Sequence, residues 1–159
     1  MNRTVFLGAL AAAGAVALSR LGAAKPAAAA GYPVRHSDAE WLRILGRDRY
    51  WILRQGGTEQ PFSSPLNAER RAGIYHCAGC DLRLFDSRTK YDAGEGWPSF
   101  WDVLPNAVRR QADYALVDPR TEVHCRQCGG HLGHRFDDGP PPTHLRYCID
   151  GLALRFAPA

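Results

Sequence analysis

Five cysteines are the residues of this 159-residue chain whose types and spacing point most directly to chemistry. Four of them form two matched pairs, Cys77 with Cys80 and Cys125 with Cys128, each with two residues between its members. A Cys-x-x-Cys turn places two thiolates on one metal ion, and two such turns complete the tetrahedral shell that zinc prefers. Disulfide bonds and redox-active thiols are the alternatives for such pairs. The duplicated spacing favours one structural zinc ion, because a closed shell leaves no open position for catalysis.

Cys148 is the fifth cysteine, and it lies outside both pairs in the stretch Arg146-Tyr147-Cys148-Ile149-Asp150. If this stretch is a β-strand, the alternation of side chains places Arg146, Cys148 and Asp150 on one face. Arg146 would favour the thiolate, which is the reactive form of cysteine, whereas the Asp150 carboxylate would oppose it. A buried cysteine that acts only as a small apolar residue is the alternative. We interpret Cys148 as a nucleophile because of the residues described next.

Two histidines closely follow the second cysteine pair, in His131-Leu132-Gly133-His134. Histidine is the natural proton donor near neutral pH. In an extended segment, positions 131 and 134 lie on opposite faces, so both reach one pocket only if the chain turns, which Gly133 permits. Either histidine could bind zinc, but four cysteines already complete the shell. We therefore predict that His131 and His134 are catalytic residues beside Cys148.

Trp97 is the third candidate, in the stretch Gly94-Glu95-Gly96-Trp97-Pro98. Glycines before the tryptophan and a proline after it favour a displayed indole ring. An indole face would accept a methyl group or another apolar tip of a substrate. Packing in the core is the alternative role for this ring.

The N-terminal elements that would support these residues are short helices. Ser37 and Glu40 fit a capping box, and Trp41 belongs to the apolar face that follows. This first helix would end at Gly46. A second short helix is predicted over Arg49–Arg54, and it would stop at two successive glycines.

From position 72 onward, short strands alternate with turns rich in glycine and proline. The predicted strands are Gly73–His76, Arg83–Phe85, Tyr114–Val117, Thr121–His124, Leu145–Ile149 and Leu152–Phe156. Each cysteine pair lies in a similar context, with a leucine four residues after its second cysteine. The pattern predicts a mainly β (α+β) fold, in which a compact antiparallel β domain carries short N-terminal helices and a structural pair of zinc knuckles.

Residues 1–30 differ in composition from the remainder. Arg3 is followed by an apolar run from Val5 to Leu18 and later by four successive alanines, a pattern typical of an export signal. The run is short and weakly apolar for a stable membrane span, although an uncleaved anchor is the alternative. We expect 1–30 to be a signal peptide and 31–159 one domain of an exported, periplasmic protein. The Sec and twin-arginine routes both stay open, because only one arginine is present near the start.

The basic charge of the chain is concentrated in that signal segment. The formal net charge is +4, and residues 1–30 contain three basic residues and no acidic one, so the remainder has a formal charge of +1. This small charge does not favour nucleic acid as a partner. We expect the domain to be a monomer without a stable membrane span.

From about Trp41 to Phe156, the sequence resembles the B-type methionine sulfoxide reductases, which act on the R epimer of methionine sulfoxide. The motifs that carry the resemblance are Gly57-Thr58-Glu59, Pro61-Phe62, Cys77-Ala78-Gly79-Cys80, Gly96-Trp97-Pro98-Ser99-Phe100, Thr121-Glu122-Val123, Cys125-x-x-Cys128, His131-Leu132-Gly133-His134, Asp138-Gly139-Pro140 and Arg146-Tyr147-Cys148. So many motifs in one order make the resemblance highly specific.

The resemblance implies a role for several residues. Cys148 corresponds to the family's catalytic cysteine, and Trp97 to the tryptophan that packs against the substrate's methyl group. His131 and His134 correspond to the histidines of the active site. The resemblance also implies substrate-binding roles for four further residues. They are Phe136, Asp138, Arg146 and Asp150, the last of which lies two positions after the cysteine. The paired cysteines correspond to the zinc site that many members contain.

The implied reaction is attack of the Cys148 thiolate on the sulfoxide sulfur, which leaves a sulfenic acid on the cysteine. Many family members have a resolving cysteine where this chain has Glu95, so we expect recycling by an external thiol such as a thioredoxin-like protein. The family usually has asparagine at the position of Asp150, and an ionised carboxylate can only accept hydrogen bonds. A zinc-stabilised β binding module without catalysis is the alternative function.

Overall fold

The computed structural model describes residues 31–114 and 119–159. The expected signal segment 1–30 lies outside the described residues, so the division between signal and domain stays a prediction. The predicted strand Tyr114–Val117 also lies mostly outside them, although Tyr114 itself is described and belongs to no strand. Within the described ranges, no helix is both long enough and apolar enough to cross a membrane.

Helix α1 (Asp38–Gln55) begins with the predicted capping box. The Ser37 hydroxyl accepts a hydrogen bond from the Glu40 amide, and the Glu40 carboxylate accepts one from the Ser37 amide. At Gly46, φ is 70° and ψ is 172°, which interrupts the helical backbone. The two predicted helices are therefore confirmed as two arms of one kinked helix. Gly56, in the left-handed conformation, ends the second arm.

The described residues contain nine β-strands in two antiparallel sheets. The strands are β1 (Gly73–Cys77), β2 (Arg83–Asp86), β3 (Lys90–Tyr91), β4 (Ser99–Phe100), β5 (Val108–Asp113), β6 (Arg120–Cys125), β7 (His131–Phe136), β8 (Arg146–Ile149) and β9 (Leu154–Pro158). The smaller sheet has the order β2-β1-β9, and the larger has the order β3-β4-β8-β7-β6-β5. The predicted mainly antiparallel β fold is confirmed.

Five of the six predicted strands correspond to observed ones, with ends that differ by one or two residues. They are β1, β2, β6, β8 and β9. The prediction of Leu152–Phe156 began too early, because Gly151–Ala153 forms a 3-10 turn that leads into β9. The sequence analysis missed β3, β4, β5 and β7, of which β7 contains both candidate histidines.

Aromatic side chains join the two sheets in the core. Phe85 of β2 stacks on Phe100 of β4 with ring centroids 4.3 Å apart, and Tyr75 of β1 meets Phe100 edge-on. Tyr147 of β8 packs against the same cluster, and all four rings are essentially inaccessible to solvent. This packing fixes β8, the strand that carries Cys148, against the centre of the molecule.

Candidate active site and cysteine cluster

The four paired cysteines meet at the ends of two hairpins, as the internal repetition of the sequence predicts. Cys77 ends β1 and Cys125 ends β6, and the four sulfur atoms all lie within 4.8 Å of one another. The separations are 3.7 Å between Cys77 and Cys128 and 3.4 Å between Cys80 and Cys125. Four thiolates around zinc, at bond lengths of about 2.3 Å, require sulfurs about 3.8 Å apart. The four thiols are free of disulfide bonds, so the cluster fits a metal ion.

A cleft opens around Cys148, which lies on a strand of the larger sheet. The described residues that line it are Thr58, Trp97, Arg120, Gly133, His134, Phe136, Cys148 and Asp150. Five of these eight were candidates from the sequence alone, whereas Thr58, Arg120 and Gly133 were not. The cleft therefore brings together most of the predicted catalytic and substrate-binding side chains.

Strand β8 places Cys148 at the centre of the larger sheet. Its neighbours across the ladder are Ser99 of β4 and His134 of β7. Tyr147 and Ile149 are buried on the core side, while Arg146 and Cys148 are partly exposed on the other. The alternation predicted for this stretch is confirmed, and Cys148 belongs to the cleft rather than to the core.

A β-bulge in β7 brings the two histidines to the same side of the sheet. His124 of β6 pairs with His131, and the preceding residue of β6 pairs with Gly133, so β7 has one extra residue between these positions. The extra residue reverses the expected alternation, and the rings of His131 and His134 lie 5.5 Å apart. The turn at Gly133 that was predicted from the sequence is wrong, because Gly133 lies within strand β7. Instead, Gly133 has a φ of 143° within the strand, a conformation that glycine adopts readily.

His134 lies directly across the ladder from Cys148. Its Nε2 is 3.0 Å from the Asp113 carboxylate, which also binds Arg120 at 2.6 Å. Burial lowers the pKa of His134, and the hydrogen bond to Asp113 only partly offsets this effect. His134 is therefore mostly neutral at neutral pH, with its Nε2 proton donated to Asp113.

His131 lies deeper than His134, and it is not among the residues that line the cleft. Its side chain is 6% exposed, and its Nδ1 is 2.6 Å from the Glu122 carboxylate. Its Nε2 points toward Asp150, whose nearer carboxylate oxygen is 3.8 Å away. Sequence reasoning placed both histidines at one pocket, and the structure places His131 behind Asp150.

Arg146 is held beside Cys148 by two other predicted site residues. Its guanidinium donates two hydrogen bonds of 2.8 Å to the Asp138 carboxylate, and it lies over the Phe136 ring at 4.3 Å from the centroid. The structure places Asp138 on the surface, outside the cleft lining, where it orients Arg146. Phe136 presents its ring to the cleft, 6.5 Å from the ring of His134.

Glu59 is a buried residue that connects Asp150 to Trp97, and the sequence analysis gave it no role. Its main-chain amide donates to Asp150 at 2.8 Å, and its main-chain oxygen accepts from the Trp97 indole at 3.1 Å. Its carboxylate accepts hydrogen bonds from the amides of Gly151 and Leu152. The Gly-Thr-Glu motif was a signal for this residue, but the sequence could not show what it contacts.

The environment of Cys148 raises the pKa of its thiol to about 11. Burial is the main cause, and the carboxylates of Asp150 and Glu95 act in the same direction. Arg146 lowers the pKa, as expected, but it does not outweigh burial. Without a bound substrate, Cys148 is therefore a thiol at neutral pH, and any reaction must remove its proton.

Comparison with known proteins agrees with this fold and site. Residues 45–158 match the SelR domain. The chain is 52% identical over 126 residues to the peptide methionine sulfoxide reductase MsrB of Agrobacterium fabrum, which covers 79% of this chain and 93% of that protein. Its identity to the same-named protein of Pseudomonas putida (strain W619) is 50%, covering 75% of this chain and 90% of the relative. The chain is 48% identical to the same-named protein of Methanosarcina barkeri, and this match covers 77% of this chain and 87% of the relative.

The antiparallel sheets and the clustered cysteines are thus consistent with the fold of a SelR domain. The match extends over most of the chain and most of each relative. The chain belongs to the MsrB family of peptide methionine sulfoxide reductases.

Proposed function

We propose that this protein is a peptide-methionine (R)-S-oxide reductase, which reduces the R epimer of methionine sulfoxide in oxidised proteins to methionine, with the free amino acid as a second candidate substrate. The observation that carries the proposal is the position of Cys148, which lines a cleft together with Trp97 and Phe136 and lies directly across the ladder from His134. The relatives named above support the reaction, and the choice of the R epimer rests on the family resemblance.

The cleft suits a small group with one apolar and one polar end. Trp97 and Phe136 offer ring faces for the methyl group and the methylene next to the sulfur. Besides Cys148, the polar lining consists of Thr58, Arg120, His134 and Asp150. A sulfoxide placed with its methyl group on Trp97 would direct its oxygen toward these polar side chains.

The reaction oxidises Cys148 as it reduces the substrate. The sulfur of Cys148 attacks the sulfoxide sulfur, and the sulfoxide oxygen takes up a proton. The oxygen is then transferred to Cys148, methionine leaves, and Cys148 becomes a sulfenic acid. Two electrons move from the cysteine sulfur to the substrate sulfur. Because the Cys148 thiol is protonated at neutral pH, its own proton balances the one that the oxygen gains.

Recycling of the sulfenic acid requires a thiol from outside the chain. The other four cysteines belong to the cluster, and Glu95 occupies the place where many family members have a resolving cysteine. An external thiol condenses with the sulfenic acid of Cys148 and releases water, and a second thiol of the reductant then frees Cys148 as a disulfide forms in the reductant. A thioredoxin-like dithiol supplies both groups.

One zinc ion in the four-cysteine cluster is the cofactor that the geometry supports best. The sulfurs have tetrahedral spacing, and no fifth ligand is needed. The ion would tie the hairpin of β1 and β2 to the hairpin of β6 and β7, and thereby fix the start of the strand that carries the histidines. It would take no part in the chemistry.

Export to the periplasm as a monomer completes the proposal. The apolar, alanine-rich composition of residues 1–30 supports a signal peptide, with the Sec and twin-arginine routes both open. Fractionation of cells and sequencing of the protein's N-terminus would test this expectation. A full-length protein recovered in the cytoplasm would contradict it, and gel filtration of the purified protein would test the monomer.

The decisive experiment compares the chain with its Cys148→Ser variant on each epimer of methionine sulfoxide, with dithiothreitol as reductant. We expect turnover of the R epimer only, and a loss of about a thousandfold or more in the variant. Unchanged metal content and an unchanged unfolding curve would show that the variant is folded. An equally active variant would defeat the proposal, and a binding module without catalysis would show no turnover in either protein.

A further inference from the structure

Deepening the proposed function, we propose that Asp150 and His131 hold one proton between them, and that this pair protonates the sulfoxide oxygen while His134 receives the proton of the Cys148 thiol. The proposal assigns different tasks to the two histidines. It also gives a catalytic role to Asp150, an acidic residue.

The tautomer of His131 follows from its contact with Glu122. Its Nδ1 lies 2.6 Å from Glu122, a distance typical of a strong hydrogen bond to a carboxylate. His124 and His131 together hold the pKa of Glu122 well below its usual range, so Glu122 only accepts. The Nδ1 of His131 therefore keeps its proton. Any proton that His131 gains or loses is on Nε2.

A gap separates His131 from Asp150. The Nε2 of His131 is buried and has no hydrogen-bond partner among the described residues, and the Oδ2 of Asp150 is 3.8 Å away. A shift of about 0.8 Å in either side chain would bring the two atoms to hydrogen-bond distance. If neither atom had a proton, two lone pairs would face each other in a buried space. One shared proton removes this conflict, whichever of the two atoms it resides on.

Asp150 connects this proton to the cleft. Asp150 is 3% exposed, yet it is one of the residues that line the cleft, together with Cys148. Its other oxygen is held by the Glu59 amide, which fixes the direction of the free one. Burial raises the pKa of Asp150 to about 6, which brings its protonated form within reach near neutral pH.

His134 is the other candidate proton donor. Its Nε2 proton is donated to Asp113, and burial lowers its pKa. A neutral His134 with this tautomer has its Nδ1 lone pair free to accept a proton. Its position across the ladder from Cys148 suits it to receive the thiol proton, and Asp113 then stabilises the imidazolium.

The protons balance in this scheme. The Cys148 thiol gives its proton to His134 as its sulfur attacks the sulfoxide sulfur. The pair gives one proton to the oxygen, which then leaves the substrate and is bonded to Cys148 as a sulfenic acid. His134 returns its proton through solvent, and the pair is protonated again. The titratable or charged side chains that surround the two sites are Glu59, Glu95, Asp113, Arg120, Glu122, His124 and Arg146.

The test is the pH profile of kcat/KM on R-methionine sulfoxide for the full chain and for Asp150→Asn. An asparagine can still accept the hydrogen bond from Glu59, so the variant should fold. It cannot share a proton with His131. We expect kcat/KM to fall by about tenfold or more at every pH, because part of the proton donor is lost, and the alkaline limb of the profile to move toward lower pH by about one unit. Glu69→Gln, which alters a surface ion pair with Arg71, is the matched control.

A second measurement observes the shared proton directly, by nitrogen-15 NMR of the His131 ring. In the parent protein, the Nε2 resonance should change together with that of the Asp150 carboxyl carbon as this carboxyl group gains its proton, and Asp150→Asn should remove this coupled change. Identical profiles, or an Nε2 resonance that is unaffected by Asp150→Asn, would overturn the pair. An absence of turnover in the parent protein would instead defeat the proposed function, so the two failures are distinguishable.

Discussion

The main-chain oxygen of Glu59 accepts a hydrogen bond from the Trp97 indole, while the amide of the same residue donates to Asp150. One buried residue thus links the ring that would hold the substrate to the carboxylate beside Cys148. Its carboxylate also accepts hydrogen bonds from two successive amides of the 3-10 turn that follows β8. The substrate side and the cysteine side of the cleft are therefore connected through the loop that follows α1.

Glu59→Gln should destabilise the fold by about 1–3 kcal/mol. A glutamine has one acceptor oxygen, so its amide nitrogen would face the amide of Gly151 or Leu152, donor against donor. Denaturant unfolding followed by tryptophan fluorescence would measure the change. Glu95→Gln alters an exposed carboxylate and is the matched control. Equal stability of the two variants would show that the two hydrogen bonds to the Glu59 carboxylate contribute little.

Gly133→Ala should be more destabilising than its backbone conformation alone predicts. A Cβ atom at this position would lie 2.1 Å from the carbonyl oxygen of Cys148, and φ is +143°. We expect a loss of about 2–4 kcal/mol, and lower activity because the strand that carries Cys148 must move.

Gly94→Ala separates strain from steric conflict. Gly94 also has a positive φ, of 75°, but nothing lies within 4 Å of the position that its Cβ would take. Gly94→Ala should therefore lower the free energy of unfolding by about 1 kcal/mol. If the variants at positions 94 and 133 were equally stable in urea, the close approach to Cys148 would not matter.

The bulge at Gly133 also shows where sequence reasoning reached its limit. Motifs and spacing were sufficient for the cysteine cluster, for the antiparallel fold and for the face of β8 that carries Cys148. The histidines were found, but period-two alternation put them on opposite faces, because a single extra residue in β7 leaves no clear trace in the pattern. The depth of His131 behind Asp150 depends on packing between strands, which no local pattern records.

Two further omissions have related causes. Strand β5 (Val108–Asp113) is mostly exposed, so its sequence lacks the apolar alternation by which strands are predicted. Glu59 lies 91 residues before Asp150, and its contacts depend on the closing of the whole fold. Long-range hydrogen bonds of this kind cannot be read from spacing. Burial of the Cys148 thiol, which dominates its pKa, is a consequence of the same packing.

Asp150→Asn should lower the pKa of Cys148 from its value of about 11. The Asp150 carboxylate raises that pKa by disfavouring a second negative charge nearby, and an amide removes the effect. Ultraviolet thiolate absorbance, with Cys148→Ser as the blank, would measure the titration. Asp137→Asn, which changes a surface carboxylate paired with Arg135, should leave it unaltered. An unchanged or raised pKa in Asp150→Asn would refute this expectation.

Removal of zinc should unfold the domain or greatly destabilise it. The cluster joins two hairpins that are far apart in sequence, and binding of a structural metal contributes directly to folding. We expect one zinc ion per chain in the parent protein and in Cys148→Ser, and less than one per chain in Cys125→Ser. Elemental analysis combined with thermal unfolding in the presence of a chelator would measure this. A parent protein that folds equally well without metal would contradict the prediction.

After one turnover without reductant, Cys148 should be a sulfenic acid rather than part of a disulfide. The other four cysteines lie together in one cluster, so no further cysteine of the chain is left to form a disulfide with Cys148. Intact-mass measurement should therefore show a gain of one oxygen, and dimedone, which reacts with sulfenic acids and not with thiols, should trap the oxidised cysteine.

The variant Glu95→Cys supplies the group that this chain lacks. The Glu95 carboxylate is close enough to influence the pKa of Cys148, so a thiol at position 95 should condense with the sulfenic acid and release water. Its mass after one turnover should be lower by two hydrogens than that of the reduced variant, and dimedone should no longer react. An internal disulfide of Cys148 in the parent protein would show that a cluster cysteine serves as the resolving thiol, and that recycling does not depend on an external thiol alone.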